Sequence, residues 1–422
     1  MSSKGFARRG YLEGFYGKPW TNAQRRDMIG LMAKHGMNCY AYGAKDDPYH
    51  RDHWEQLYPD DALQQLQGLV AFSLGQGMDF IYCIAPGLTY DYGCEEHYEA
   101  LLAKLRQIQG LGVRSFGLFF DDIPRERQSP EDHAAVANRV YKDMPGTSLT
   151  VCPMVYHGRG NEDYIRKIGR ALDSDIDLFW TGSNICSQWI YLDEAEYFEK
   201  NTNHKPLYWD TFPVNDAEMF QEMHLGPIQG REPELYKCCR GILFNGMEYF
   251  ECTKVAFLTC ADYLCDPENY NPEQSWLNAL NELFSEADAK RFIPFAEMLF
   301  TSCLKVTNCP RMNDALETTA MQFKRGNLAA AMQTLNDYYA GLEDCRAFLA
   351  ESPHPMVAEL GKWIKKFNKC CDIFGMALRT LQGEPLRDEL AIEMEAYNDT
   401  ATVLTDFGLR AYVETVLKLF EE

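Results

Sequence analysis

The stretch Ser115-Phe116-Gly117-Leu118-Phe119-Phe120-Asp121-Asp122-Ile123-Pro124 begins as a continuous apolar run and ends in two adjacent carboxylates. Such a run, bounded by turn residues, reads as a strand buried on both faces, as in parallel sheets. Pro124 has no N–H to give a ladder, so the strand is expected to stop near Ile123. The carboxylates then sit at the strand's C-terminal end, which carries the chemistry in a β/α barrel. Neighbouring carboxylates oppose each other's ionisation, so one can hold a proton while the other stays charged. An isolated Asp-Asp is equally compatible with a solvated turn or a helix N-cap, and the surrounding chain has to decide.

Working outward, eight short apolar runs precede residue 250, at 10–14, 37–43, 79–85, 115–121, 148–153, 176–181, 206–210 and 241–245. Segments of helical period separate most of them. One carries Met28, Ile29, Leu31 and Met32; another carries Leu101, Leu102, Leu105 and Ile108. Strand alternating with helix eight times predicts a closed (β/α)8 TIM-like barrel of class α/β. The polar and reactive residues follow the runs in phase: Glu13 to Tyr16, Lys45-Asp46-Asp47, Asp121-Asp122, Tyr156, Trp180-Thr181, Trp209 to Asp216, and Asn245. In a barrel all of these ends converge on one face.

After about Cys265 the texture changes. Asp266-Pro267-Glu268-Asn269-Tyr270-Asn271-Pro272 reads as a linker or a helix start. Beyond it Trp363, Phe367, Cys371, Phe374 and Leu378 recur at spacings of three and four, as do Leu404, Phe407, Ala411 and Val416 with one slip. The expectation is a barrel over 5–265 and an all-α helical bundle over 266–422, with a docking or homodimerisation platform as an alternative role for the bundle. The chain has 422 residues and a net charge of −21, without a long basic block, which argues against a nucleic-acid or anionic-membrane surface. No window approaches the roughly 18 apolar residues of a membrane span, and the N-terminus lacks an apolar signal region. The fifteen scattered cysteines read as reduced thiols of a cytoplasmic protein, without metal-ligand spacing. No metal and no cofactor are expected.

Paired carboxylates in an aromatic-rich cleft suit glycoside hydrolysis. Trp180, Trp209, Tyr16 and Tyr156 offer faces on which a sugar ring could stack; Lys45 and Asp216 could bond its hydroxyls. Adjacent Asp residues are poorly placed on opposite faces of a sugar. They suit a reaction in which the substrate's own 2-acetamido carbonyl is the nucleophile, an exception to the two-carboxylate scheme. Glu13 reads as a structural, paired carboxylate, and His50, His53 and His157 as loop or surface residues.

Five motifs in register carry a family resemblance. Glu13-Gly14-Phe15-Tyr16-Gly17-Lys18-Pro19-Trp20 resembles the opening motif of glycoside hydrolase family 84, the O-GlcNAcases and related β-N-acetylglucosaminidases. The segment 38–51, from Asn38 through Lys45-Asp46-Asp47 to His50-Arg51, resembles its second-strand motif, and 80–87, 114–123 and Trp180-Thr181-Gly182 follow in order. The resemblance covers about residues 8–265. It implies that Asp121 polarises the acetamido group, that Asp122 is the general acid/base, and that Tyr156 positions the acetamido carbonyl. It implies sugar contacts from Gly14, Lys45, Asp216 and Asn245 and a pocket wall at Trp209. Thr211 stands where the family usually has asparagine, Met154-Val155 where it tends to have Thr-Glu, Gly246 and Ala44 where proline is commoner. The expected activity is a retaining exo-β-N-acetylglucosaminidase acting on a GlcNAc-bearing glycoprotein or a small glycoside. The alternatives are a catalytically impaired GlcNAc- or glycopeptide-binding protein, motivated by Thr211, and an endo-acting hyaluronidase-type hydrolase.

Overall fold

The computed structural model of the protein describes residues 5–127, 129–306 and 309–419. Eight parallel strands close into a barrel in chain order. They are β1 (Arg8–Glu13), β2 (Cys39–Tyr42), β3 (Asp79–Ile84), β4 (Ser115–Phe119), β5 (Ser148–Cys152), β6 (Asp177–Trp180), β7 (Pro206–Pro213) and β8 (Gly241–Asn245). Their apolar runs are continuous because both faces are covered. Alternate residues point inward, and Leu12, Ala41, Ile81, Phe119, Phe179 and Leu243 share the interior cluster. The intervening residues face outward: Tyr11 stacks on Tyr40 at 4.9 Å and meets Phe257 at 5.2 Å.

Helices α1 (Asn22–Lys34), α2 (Asp60–Gly75), α3 (Glu95–Gln109), α4 (Pro130–Asp143), α5 (Asp163–Ala171), α6 (Leu192–Thr202) and α7 (Phe250–Cys265) surround the barrel. The first opens on a capping box: Thr21 accepts from the Gln24 N–H while Gln24 reaches back. No α-helix joins β7 to β8. That connection carries only short 3-10 turns at Ala217–Met219 and Leu235–Lys237, so the expected alternation lapses there. Gly226-Pro227, Gly230 and Pro233 interrupt it repeatedly, which no helix of useful length tolerates.

The chain divides into two compact units, Met1–Asp216 with Ile228–Ser275, and Ala217–Pro227 with Trp276–Glu422. The second is helical, with α8 (Pro272–Leu283) entering it, then α9 (Glu286–Ala296), α10 (Pro310–Lys324), α11 (Leu328–Glu351), α12 (Pro355–Glu359), α13 (Gly361–Leu381), α14 (Arg387–Asn398) and α15 (Phe407–Lys418). The stripe Trp363, Phe367, Cys371, Phe374 and Leu378 is buried along α13, as its spacing predicts. The last stripe is corrected. Phe407 is 74% exposed and Ala411 is also exposed, whereas Leu409, Tyr412, Val413 and Val416 form the buried face. Asp406 accepts from Tyr397 Oη and from Arg410 Nε, and α15 starts only after it, so the helical phase begins there rather than at Leu404. Within the same unit Gln221 accepts from Trp363 Nε1 (3.1 Å) and the Val403 N–H (3.0 Å), and Leu225 from Trp276 Nε1 (2.9 Å). Among the described residues no helix is long and apolar enough to cross a membrane.

Candidate active site

Where β4 ends, Asp121 turns inward and Asp122 enters the left-handed region at φ 54°. The two adjacent carboxylates therefore meet different surroundings. Asp121 is 4% exposed; its Oδ2 receives Lys45 Nζ at 3.0 Å, and its buried Oδ1 has no partner among the described residues. Burial opposes ionisation of Asp121, but the Lys45 charge and hydrogen bond outweigh it and hold the carboxyl below its usual range. Burial likewise opposes the charge on Lys45, and Asp121 overcomes that, so the ammonium is held more tightly than an ordinary lysine's. Asp122 Oδ2 accepts from Tyr16 Oη at 2.8 Å, and its Oδ1 lies 3.4 Å from Tyr156 Oη. Burial, then the nearby Asp122, push the Tyr156 hydroxyl up, which keeps it a neutral donor.

The first motif supplies the opposite wall. Gly14 N–H donates to Asn245 Oδ1 at 3.1 Å, tying the ends of β1 and β8. Two residues on, Tyr16 N–H donates to Asp216 Oδ2 at 2.8 Å, and the Tyr16 ring lies 5.3 Å from Lys45 Nζ. Burial raises the Asp216 pKa against the opposing pull of that N–H and of Lys45. Trp209 points into the barrel mouth, with Phe119 at 5.4 Å and Phe179 at 5.7 Å, and its buried Nε1 has no partner among the described residues. A Cβ on Gly14 would stand 2.8 Å from the Trp209 ring and 2.2 Å from Leu12 Cδ2, so the indole needs glycine there. Asp121, Asp122, Tyr156, Gly14, Tyr16, Lys45, Trp209, Asp216 and Asn245 are thus brought to one mouth.

Two of the expected residues behave differently. Trp180 is 2% exposed and packs on Phe198 of α6 at 4.8 Å. Strand parity explains it: Phe179 takes the inward position, so its neighbour faces the helices. Thr211 is buried, and its hydroxyl donates to the Ile185 carbonyl at 3.1 Å, in the loop after β6.

Three neighbours stand beside these residues: Glu13, which the sequence reads as a structural, paired carboxylate and which is one, His50, and Arg51, which the sequence reading does not single out. His50, which the sequence reads as a loop or surface residue, lies in the loop after β2 but is fully buried. Its Nδ1 meets the Cys83 carbonyl at 2.8 Å and its Nε2 has no partner among the described residues. Burial chiefly, with Lys45 adding, pushes its pKa down to about 4. Arg51 was not singled out, yet its guanidinium donates to the Asp122 carbonyl at 2.9 Å and to Tyr16 Oη at 3.2 Å. Its position in the polar cluster after β2 was the available signal. Glu13, at the end of β1, pairs with Arg25 through contacts of 2.6–3.0 Å and accepts from Tyr40 Oη at 2.6 Å. Among the described residues no group of three His, Cys, Asp or Glu side chains is arranged to hold a metal ion.

Comparison with known proteins follows the same motifs. The profile of the β-N-acetylglucosaminidase family matches residues 9–297. The chain belongs to this family. It is 34% identical to the mouse protein O-GlcNAcase over 283 residues, 62% of this chain and 31% of that protein. The rat protein O-GlcNAcase matches equally, at 34% over 279 residues, 61% of this chain and 30% of that one. The chain thus spans about a third of the length of these curated relatives. An Asp-to-Asn mutant of the Thermobaculum terrenum O-GlcNAc hydrolase superposes with a TM-score of 0.89 at 28% identity, covering 98% of this chain and 95% of that one. The family 84 resemblance of the motifs, the TIM-like barrel and the helical C-terminal region all accord with these findings.

Proposed function

We propose that this β-N-acetylglucosaminidase family member is a retaining exo-acting hydrolase that uses the substrate's 2-acetamido group as nucleophile. The observation that carries the reading is the asymmetry of Asp121. It is buried, bound to Lys45 on one oxygen, and among the described residues unpartnered on the other. A buried acceptor without a donor costs roughly 1–3 kcal/mol unless a ligand supplies one. An acetamido N–H is such a donor. Accepting from it, Asp121 orients the amide and makes its carbonyl oxygen more nucleophilic. That oxygen bonds to the anomeric carbon, the glycosidic C–O bond breaks, and Asp122 gives its proton to the departing oxygen. The oxazolinium N–H rests on Asp121. Asp122, now a carboxylate, takes a proton from water as the water attacks the anomeric carbon and reopens the ring, restoring Asp122 and the original configuration. Tyr156 positions the carbonyl, Trp209 walls the pocket, and Gly14, Lys45, Asp216 and Asn245 contact the sugar. The substrate proposed is terminal β-linked GlcNAc on serine or threonine, or on a small glycoside.

Turnover of an aryl N-acetyl-β-D-glucosaminide by wild type and Asp122→Asn, beside the matching aryl β-glucoside, tests this. Turnover of the first alone, lost in the variant, is the expected result. Equal turnover of the glucoside would mean that a protein carboxylate is the nucleophile. Binding of GlcNAc without turnover would favour the impaired binding protein, with Thr211→Asn as the reverting change.

A further inference from the structure

We propose that Arg51 is a positioning residue for the proton-donating carboxyl, acting through the Asp122 main chain and through Tyr16. The proposal rests on the reading above that Asp122 protonates the leaving oxygen. Asp122 sits at φ 54°, a conformation that residues with a Cβ seldom adopt without support. It also lies past the end of the β4 ladder, so the sheet does not hold it. Arg51 supplies a hold: one guanidinium nitrogen donates to the Asp122 carbonyl at 2.9 Å. The other donates to Tyr16 Oη at 3.2 Å, and that hydroxyl donates in turn to Asp122 Oδ2 at 2.8 Å. One planar fork therefore fixes both the turn and the hydroxyl that orients the carboxyl of the same residue.

Arg51 is itself anchored. Its neighbour His50 is buried against the Cys83 carbonyl, and the His50 carbonyl accepts from the Ala85 N–H at 2.8 Å. The loop after β2 is thus pinned to the end of β3, and the guanidinium reaches across to the end of β4. A proton on Asp122 is useful only if the carboxyl faces the leaving oxygen, and a closed ring of hydrogen bonds limits its rotation.

Leaving-group dependence tests the inference. Phenyl N-acetyl-β-D-glucosaminide needs its departing oxygen protonated, whereas the dinitrophenyl analogue leaves unaided. Arg51→Met should lower kcat on the phenyl substrate by about tenfold or more and on the dinitrophenyl substrate by less than about twofold. Arg51→Lys, which can reach one acceptor but not both, should recover part of the loss. Equal losses on both substrates, or no loss on either, would overturn the proposal. Asp122→Asn is run in parallel: if it loses both substrates equally, the acid assignment itself is wrong and the inference falls with it. If it shows the selective loss and Arg51→Met does not, only the role of Arg51 fails. Should Arg51→Met not fold, Arg51→Gln gives the same readings.

Discussion

Replacing Lys45 with methionine isolates the role of its charge. Lys45 Nζ stands 3.0 Å from Asp121 Oδ2, and both side chains are almost fully buried, at 6% and 5% exposed. At an effective dielectric of about 20, unit charges at that separation interact by roughly 5 kcal/mol, equivalent to about four pKa units. Loss of a neighbouring cation more commonly moves an Asp by about one to three units. Wild-type Asp121 is held below its ordinary value and is therefore ionised at every pH above that depressed value. Without Lys45, burial is opposed only by the weaker pull of Arg51 and His50, and the carboxyl should titrate about one to three units higher. The acid limb of kcat/KM against pH, measured on an aryl N-acetyl-β-D-glucosaminide, should move up by that amount in Lys45→Met. Loss of a sugar-hydroxyl contact would instead lower the whole profile uniformly, so position and height report different roles. An acid limb within about half a unit of wild type would refute the assignment of Lys45 as the charge that keeps Asp121 ionised.

Other perturbations follow from the same geometry. Arg25→Met strands Glu13, which is 2% exposed, and should destabilise the barrel unit to urea by about 3–5 kcal/mol, while adding Glu13→Gln should recover much of the loss. His133, stacked on Phe120 at 4.1 Å and bonded to Tyr164 Oη, has its pKa pushed down by burial from 6.5 to about 4. The unfolded chain thus binds more protons between those values, so the His133 contribution is complete above about pH 6.5 and fades as pH falls toward 4, with roughly 2 kcal/mol lost at pH 5. Urea unfolding of His133→Gln should show a pH 7-to-5 decline shallower by about that amount, and an unchanged decline would count against a neutral buried imidazole. Gly14→Ala should raise KM for the glucosaminide by tilting Trp209, with a stability cost of about 1–3 kcal/mol seen by thermal unfolding.

The barrel was legible because its strands are buried on both faces and so stand out as apolar runs, and the phase of polar residues after those runs located most of the mouth. What escaped depended on information the runs do not carry. Phe179 and Trp180 are both large aromatics at the end of β6, and nothing local says which one faces inward. His50 sits among the polar residues 45–53, and its burial is decided by the Cys83 carbonyl on another strand. Arg51 finds its acceptor 71 residues away, at a turn whose left-handed conformation Asp122 does not advertise. The α15 stripe was out of phase because the helix begins only after Asp406, so Leu404 lies outside it and does not set its count. The connection from β7 to β8 shows the converse: its glycines and prolines were visible, and the regularity of the six other crossovers concealed their meaning.

That connection also bears on how the polypeptide is made. Residues 217–227 lie between two barrel strands in the chain, yet their hydrogen-bond partners include Trp276, Trp363 and Val403. A ribosome delivers this segment long before those partners exist. Eight strands can have emerged while Gln221 and Leu225 still wait for theirs, so the last barrel crossover stays unfinished until the C-terminal helices arrive. For the same reason no single cut of the backbone yields two self-sufficient pieces. A gene shortened to end after β8 would encode an intact set of strands carrying eleven residues that belong to the missing half.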